Sequence, residues 1–143
     1  MRRRTASAGR LIIRRMIRPL LTCALLAMPF SPTSAAGAAV KPGDAAKGAS
    51  SFRMCASCHQ VGPSARSGFG PHLNGVFGRR AGTADGYPYS PAMKQSAVVW
   101  NEQTLAAFLR DPGKVVPGTK MRFWGIGNEQ QIANLLAYLR QFK

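Results

Sequence analysis

Cys55-Ala56-Ser57-Cys58-His59 constrains this chain more than any other stretch of its 143 residues. Two thiols separated by two residues, with an imidazole directly after the second, form the attachment pattern for a c-type haem. Each thiol can make a thioether to a vinyl group on the same edge of one porphyrin. The following imidazole then falls under the iron, where a ring nitrogen can bind it. Other uses of a Cys-x-x-Cys pair are a thioredoxin-like redox couple, a structural disulfide or half of a zinc site. The first belongs in a βαβ setting and the last needs further Cys or His ligands downstream. Beyond the motif, His72 is the one other His, and the one other Cys, Cys23, lies far upstream.

Charge distribution places that motif in an exported domain. Arg2, Arg3, Arg4, Arg10, Arg14, Arg15 and Arg18 all precede an apolar run from Leu20 to Phe30, which leads into Ser-Pro-Thr-Ser-Ala-Ala-Gly-Ala-Ala. A positive segment, a short apolar segment and a small-residue zone make a secretory signal peptide. The preferred cut follows Ala36, with Ser34 and Ala36 at the −3 and −1 positions, and cuts after Ala38 or Ala39 fit almost as well. Residues 1–36 are therefore read as a cleaved leader and residues 37–143 as one monohaem domain in the periplasm. The apolar run is about half the ~20 residues that span a bilayer, so an uncleaved leader anchoring the domain to the membrane is the alternative. Arg14-Arg15 is a poor twin-arginine match, and Cys23 opens the apolar run rather than following it, which argues against a lipoprotein.

Residues 37–143 hold thirteen Lys and Arg against five Asp and Glu, a formal charge of +8. Dispersed cations without a nucleic-acid motif point away from DNA or RNA. They point to acidic docking surfaces on other proteins, with transient membrane-surface contact as a secondary option. A core of this size is marginal alone, and a covalently held apolar cofactor would supply much of what is missing.

The helical signals are local. Asp44 caps a helix over residues 45–57 that carries Phe52 and delivers Cys55 and Cys58 at its end. Gly48 inside it costs ~1 kcal/mol relative to Ala, and close approach of another helix would account for it. That partner is the C-terminal helix, capped by Asn128 with Gln131 in the capping-box position, and carrying Ile132, Leu135, Leu136 and Leu139 at helical spacing. Asn101 opens a helix with Leu105, Phe108 and Leu109 that Asp111-Pro112 stops, and Ser90-Pro91 starts a shorter one. No two-residue alternation runs long enough for a sheet, so the class is all-α. From Gln60 to Pro88 the chain is loop, long enough to need something to wrap around.

His59 fills one axial position of the iron, and function depends on the other. An open position would allow gas binding or peroxide chemistry, whereas a protein ligand there leaves electron transfer. Met54 adjoins Cys55 and is tied to the attachment side, and Met93 falls in a short helix, where packing is the usual role of Met. Met121 ends Val116-Pro117-Gly118-Thr119-Lys120-Met121, a stretch stiffened by Pro and turned by Gly, suited to crossing to the other haem face. Met121 is the preferred ligand. His72 is its competitor for a bis-His site, only 13 residues after His59.

Residues 43–142 resemble the class I cytochromes c, in particular the mitochondrial-like branch found in bacteria. The matching stretches run in order: Gly43-Asp44-Ala45-Ala46-Lys47-Gly48, the Cys-x-x-Cys-His motif, Gly70-Pro71-His72-Leu73-Asn74-Gly75 and Phe77-Gly78-Arg79. They continue with Tyr89-Ser90-Pro91-Ala92-Met93, Pro117-Gly118-Thr119-Lys120-Met121 and Leu135-Leu136-Ala137-Tyr138-Leu139. The resemblance implies one covalent haem c on Cys55 and Cys58, with His59 and Met121 as axial ligands. It implies that the Pro71 carbonyl accepts the free imidazole N–H of His59. Arg79, Tyr89 and Trp100 would bond or neutralise the haem propionates, with Thr119 reaching the second. Gly48 and Phe52 would pack on Leu135 and Tyr138 where the terminal helices cross.

Two departures bear on redox chemistry. Phe108 stands where the family often has a Tyr bonded to the Met sulfur, and Met93 where mitochondrial members carry Asn. Both make the ligand side drier, which favours the less charged reduced haem, so a midpoint below about +150 mV would contradict the reading. The resemblance further implies basic groups around a partly exposed haem edge: Lys47, Lys94, Lys114, Lys120 and Arg122, with Arg53 added from its place beside the motif. It also makes Lys120 the candidate to replace Met121 at alkaline pH.

The function that follows is a monomeric periplasmic electron carrier of the respiratory chain, without substrate turnover of its own. It would pass single electrons between redox complexes such as a bc-type complex, a terminal oxidase or a periplasmic reductase. An open-iron peroxidase or gas binder is disfavoured because no distal His and Arg pair is evident. A dedicated subunit of a larger dehydrogenase or reductase is the other rival.

Overall fold

Five helices joined by long loops make up residues 41–143, the stretch that the computed structural model describes. The leader, its cleavage zone and Cys23 lie outside the described residues. Among the described residues there is no strand, only an isolated antiparallel bridge between Arg80 and Val99, so the all-α expectation holds.

Each helix begins at a polar side chain that satisfies the N–H groups a helix leaves free at its start. The Asp44 carboxylate accepts from Ala46 N at 2.9 Å and Lys47 N at 3.1 Å and opens α1, Ala45–Phe52. Ser90 opens α2, Pro91–Gln95. Asn101 and Thr104 form a reciprocal capping box at α3, Glu102–Arg110. Asn128 accepts from Gln131 N at 3.0 Å and opens α5, Glu129–Leu139. Between them lies α4, Pro112–Val115, which the sequence pattern did not announce. Asp111 ends α3 and, through its carboxylate on Lys114 N, also starts α4.

One expected boundary is corrected. The first helix stops at Phe52 rather than continuing to residue 57. Beyond Phe52 the backbone tightens, with Met54 N donating to Ser51 O at 3.3 Å and Cys55 N to Phe52 O at 2.8 Å. Such three-residue spacing winds the chain more tightly than an α-helix and redirects the side chains that follow. Cys58 N and His59 N then both donate to Cys55 O, at 3.0 and 2.9 Å.

The crossing of α1 and α5 is the main helix contact and depends on Gly48. A methyl group there would lie 2.0 Å from the Asn134 carbonyl oxygen and 2.7 Å from Tyr138 Cβ. Phe52 packs its ring on Tyr138, centroids 5.4 Å apart, as the sequence suggested. The buried Asn134 amide adds a polar tie: its Oδ1 accepts from Asp44 N at 2.9 Å and from Gln130 Nε2 at 3.2 Å. From this crossing the core spreads through Ile132, Leu135 and Leu139 to Leu105, Phe108 and Leu109 of α3.

No helix forms between His59 and Ser90, and the loop is pinned by its own groups. Asn74 brackets Gly62, accepting from its N–H at 2.9 Å and donating to its carbonyl at 2.7 Å. Leu73 N donates to Gln60 O and Gly70 N to Cys58 O, both at 2.9 Å. Ala81 N donates to Val98 O at 2.8 Å, tying the far end of the loop to the approach to α3. These bonds hold the loop as the wall of a cavity.

Candidate haem site

A cavity of about 370 Å³ lies between the loops and the α3–α5 core, within the range of small-molecule and cofactor sites. Cys55, Cys58, His59 and Met121 all line it. The turns after α1 bring the first three to the wall, and the loop leaving Val116 brings the fourth. Leu73, Val76, Leu105, Leu109, Leu135 and Leu139 supply an apolar surround.

His59 is set in one tautomer. Its Nδ1 lies 2.7 Å from the Pro71 carbonyl oxygen, an acceptor only, so the proton sits on Nδ1 and the Nε2 lone pair is left free. Burial lowers the imidazole pKa, partly offset by the bond to Pro71. The net lowering keeps the imidazole neutral at pH 7 and able to bind a metal through Nε2. Gly70 lies against this ring, and a Cβ added there would stand 2.5 Å from His59 Cε1. Sequence reasoning missed that role, for which the pairing of Gly with the following Pro was the available signal.

Cys55 and Cys58 are not joined in a disulfide. Burial, with the neighbouring Cys58 as a smaller contributor, pushes the Cys55 thiol up to about 11, so it stays protonated at neutral pH. No group of three or more His, Cys, Asp or Glu able to hold a bare metal ion occurs among the described residues. The Cys-x-x-Cys pair therefore lacks the further ligands a zinc site needs.

Every residue read as haem support reaches the same cavity: Arg79, Tyr89, Trp100 and Thr119 line it, and Pro71 does so beside His59. Arg79 donates through Nη1 to Asn74 O at 2.8 Å and through Nη2 to His72 O at 3.1 Å. Its guanidinium is half-buried, burial lowers its pKa, and no carboxylate lies within 4.0 Å of it among the described residues. Burial likewise raises the Tyr89 phenol. A half-buried cation that lines an apolar cavity, with Asp85 acting on it only from beyond ion-pair distance, fits a ligand that brings carboxylates of its own. Trp100 packs on Phe108 with centroids 4.9 Å apart. Thr119 Oγ1 accepts from Met121 N at 3.3 Å, which orders the backbone at the candidate ligand.

His72, the competitor of Met121, does not line the cavity, and its buried Nδ1 has no hydrogen-bond partner. Met54 and Met93 do line it, the first half-exposed and the second buried on α2. Lys120 reaches back to the Pro88 carbonyl, Nζ to O 2.9 Å, and so straps the Met121 loop to the chain before α2.

The residues fit one covalently held haem: two thiols, an imidazole with a free nitrogen, a thioether, apolar walls and polar groups for the propionates. Comparisons with known proteins agree. The cytochrome c family model matches residues 45–143. Cytochrome c2 of Blastochloris viridis is 46% identical over 99 residues, 69% of this chain and 78% of that protein. Cytochrome c2 of Rhodoblastus acidophilus is 50% identical over 101 residues, 71% of this chain and 94% of that protein. The solved structure of cytochrome cH from Methylobacterium extorquens superposes with a TM-score of 0.66 at 44% identity, covering 69% of this chain and 99% of that one. The chain belongs to the cytochrome c family, as a class I c-type cytochrome that carries electrons on one covalent haem c rather than turning over a substrate.

Proposed function

We propose that the protein shuttles single electrons in the periplasm, with His59 and Met121 as the two axial ligands of its haem iron. The observation that carries this reading is that His59, with its Nε2 free, and Met121 line one apolar cavity together with both cysteines. When bound, haem c supplies one-electron Fe(III)/Fe(II) chemistry, and a His/Met donor pair raises its potential. The chain's part is to hold the donors still. Pro71 fixes the His59 ring through Nδ1, while Thr119 and the Lys120 strap fix the backbone that leads into Met121. Donors held this way stay the same in both oxidation states, which keeps the nuclear rearrangement small. Arg79, Tyr89, Trp100 and Thr119 would receive the propionates, and Leu105, Leu109 and Leu135 exclude water.

Acidic docking surfaces on a bc-type complex, a terminal oxidase or a periplasmic reductase suit the +8 charge of residues 37–143. The leader reading supports export, and no helix among the described residues is long and apolar enough to cross a membrane.

The test is an absorption spectrum of exported wild type and Met121→Ala, oxidised and reduced, with a pyridine haemochrome assay. Wild type is expected to show covalent haem and the weak red charge-transfer band of thioether-bound ferric iron. Met121→Ala should keep the covalent haem and lose that band. A wild type that lacks the band, or reduced wild type that binds CO readily at neutral pH, removes Met121 as ligand.

A further inference from the structure

Four large apolar side chains are markedly exposed among the described residues: Met54, Phe69, Val99 and Trp124. Three of them lie on segments that line the haem cavity. Met54 and Phe69 line the haem cavity while remaining exposed, so both stand at its mouth. Trp124 follows Arg122 and Phe123, which also line the cavity, yet Trp124 itself does not line it and is fully exposed. Filling the cavity therefore leaves Trp124 in water. A single exposed apolar side chain is ordinary, whereas several large ones on segments around one cavity point to an interaction surface.

Cations lie on the same segments. Arg53 precedes Met54, and Lys120 and Arg122 are exposed cavity-lining residues on the loop that carries Trp124. Three of the five acidic groups of residues 41–143 are paired with cations elsewhere: Asp44 with Lys47, Glu102 with Arg140, and Glu129 with Arg110. A fourth, Asp111, caps α4, and the fifth, the exposed Asp85, is near enough to the cavity-lining Arg79 to raise its pKa against the lowering by burial. Exposed apolar groups and an excess of cations thus share the segments at the mouth, a composition suited to a partner that is negative around an apolar patch.

We propose that Trp124, on the loop that leaves the cavity mouth, is the apolar anchor by which this protein docks an acidic-rimmed redox protein. The inference rests on the electron-carrier reading above and adds to it the residue that holds the encounter complex. The three side chains come from three separate segments pinned by backbone bonds, Cys55 N to Phe52 O, Gly70 N to Cys58 O and Ile126 N to Leu109 O. The patch is therefore preformed, as protein interfaces usually are, rather than one face of an inserting amphipathic helix. Trp and Arg are also the residues on which interface energy most often concentrates. Charges on the rim set the encounter rate and its salt dependence, whereas a central Trp sets the lifetime of the complex.

The experiment uses the haem-loaded protein, reduced, with a purified terminal oxidase whose docking face is acidic, across a series of ionic strengths. Trp124→Ala should lower the second-order oxidation rate about tenfold, the range of interface anchors, by the same factor at every salt concentration. Its midpoint potential and its rate at saturating oxidase should stay at wild-type values. Trp124→Phe should recover most of the loss, and Arg122→Ala should instead flatten the salt dependence. If wild type is oxidised with the expected salt dependence and Trp124→Ala equals it, the anchor is wrong and the shuttle stands. If wild type is not oxidised at any ionic strength, the shuttle reading fails and the anchor with it. Two controls name other occupants. Phosphatidylglycerol vesicles that retain wild type but not Trp124→Ala, with oxidation unchanged, assign the patch to lipid and overturn the proposal. A wild-type dimer in sedimentation that Trp124→Ala dissolves assigns it to a second copy, with the same consequence.

Discussion

At the scale of single residues, the site depends on how closely the backbone approaches the His59 ring. Gly70 has no side chain where a Cβ would lie 2.5 Å from His59 Cε1 and 2.7 Å from Nδ1, the atom that bonds Pro71. A Gly70→Ala variant must push the ring or its own backbone aside. Overpacking of this kind costs about 1–3 kcal/mol. The variant is expected to keep covalent haem, since Cys55 and Cys58 are untouched, and to unfold at lower denaturant concentration with an altered low-spin spectrum. Equal denaturation midpoints for variant and wild type would show that the ring has room to move. The residues with the most chemistry were legible because each is an unusual side chain at a fixed spacing. Gly70 was not, because a glycine's reason lies in what approaches it.

At the scale of elements, the caps were the most readable features. Asp44, Ser90, Asn101 and Asn128 each open a helix at the position their side chains suggested. The end of α1 was less readable, because nothing between Phe52 and His59 is a helix breaker; the tightening there is set by packing of the motif on the cavity. Asn134 also escaped sequence reasoning, since a polar residue inside a C-terminal helix looks like an exposed position until α1 is laid over it. The α1–α5 crossing makes a sharp prediction. Gly48→Ala places a methyl 2.0 Å from the Asn134 carbonyl oxygen, so the helices must separate, at a cost of about 1–3 kcal/mol despite the better helix propensity of Ala. Chemical denaturation of the holoprotein checks it, and a stabilised variant would mean the crossing is not tight. Between α3 and α5 the Glu129–Arg110 pair gives a pH signature. Arg110 holds the Glu129 carboxyl below its ordinary 4.5, so the unfolded chain takes up this proton first as pH falls. The stabilisation is complete above about 4.5 and is lost as pH drops through the lower folded value. Thermal midpoints of wild type and Glu129→Gln should differ by a small margin at neutral pH and converge in acid. Because the pair is exposed, a large difference at any pH would point to a different role for Glu129.

At the scale of the whole molecule, the long loop from Gln60 to Pro88 and the short α5–α1 core are one design: few helices, with a cavity that the loops close. The all-α class and the wrapping loop followed from the pattern of caps and from the absence of alternation. The exposed Trp124 did not, because exposure is a property of the folded surface and a Trp in sequence reads as core. Redox potential belongs to this scale, since it reports the polarity of the entire cavity. Met93 and Phe108 are both buried, both line the cavity, and neither offers a hydroxyl or amide to bind water beside Met121. A dry wall disfavours the form that carries the extra positive charge. Wild type is therefore expected to have a midpoint above about +150 mV. Phe108→Tyr and Met93→Asn each introduce a polar group at that wall and should each lower the midpoint, as read by spectroelectrochemistry at fixed pH. The two positions share one cavity, so the shifts need not add. If both variants match or exceed wild type, the polarity of this wall is not what sets the potential, and the basic surface with its Arg79 cation becomes the determinant to vary next.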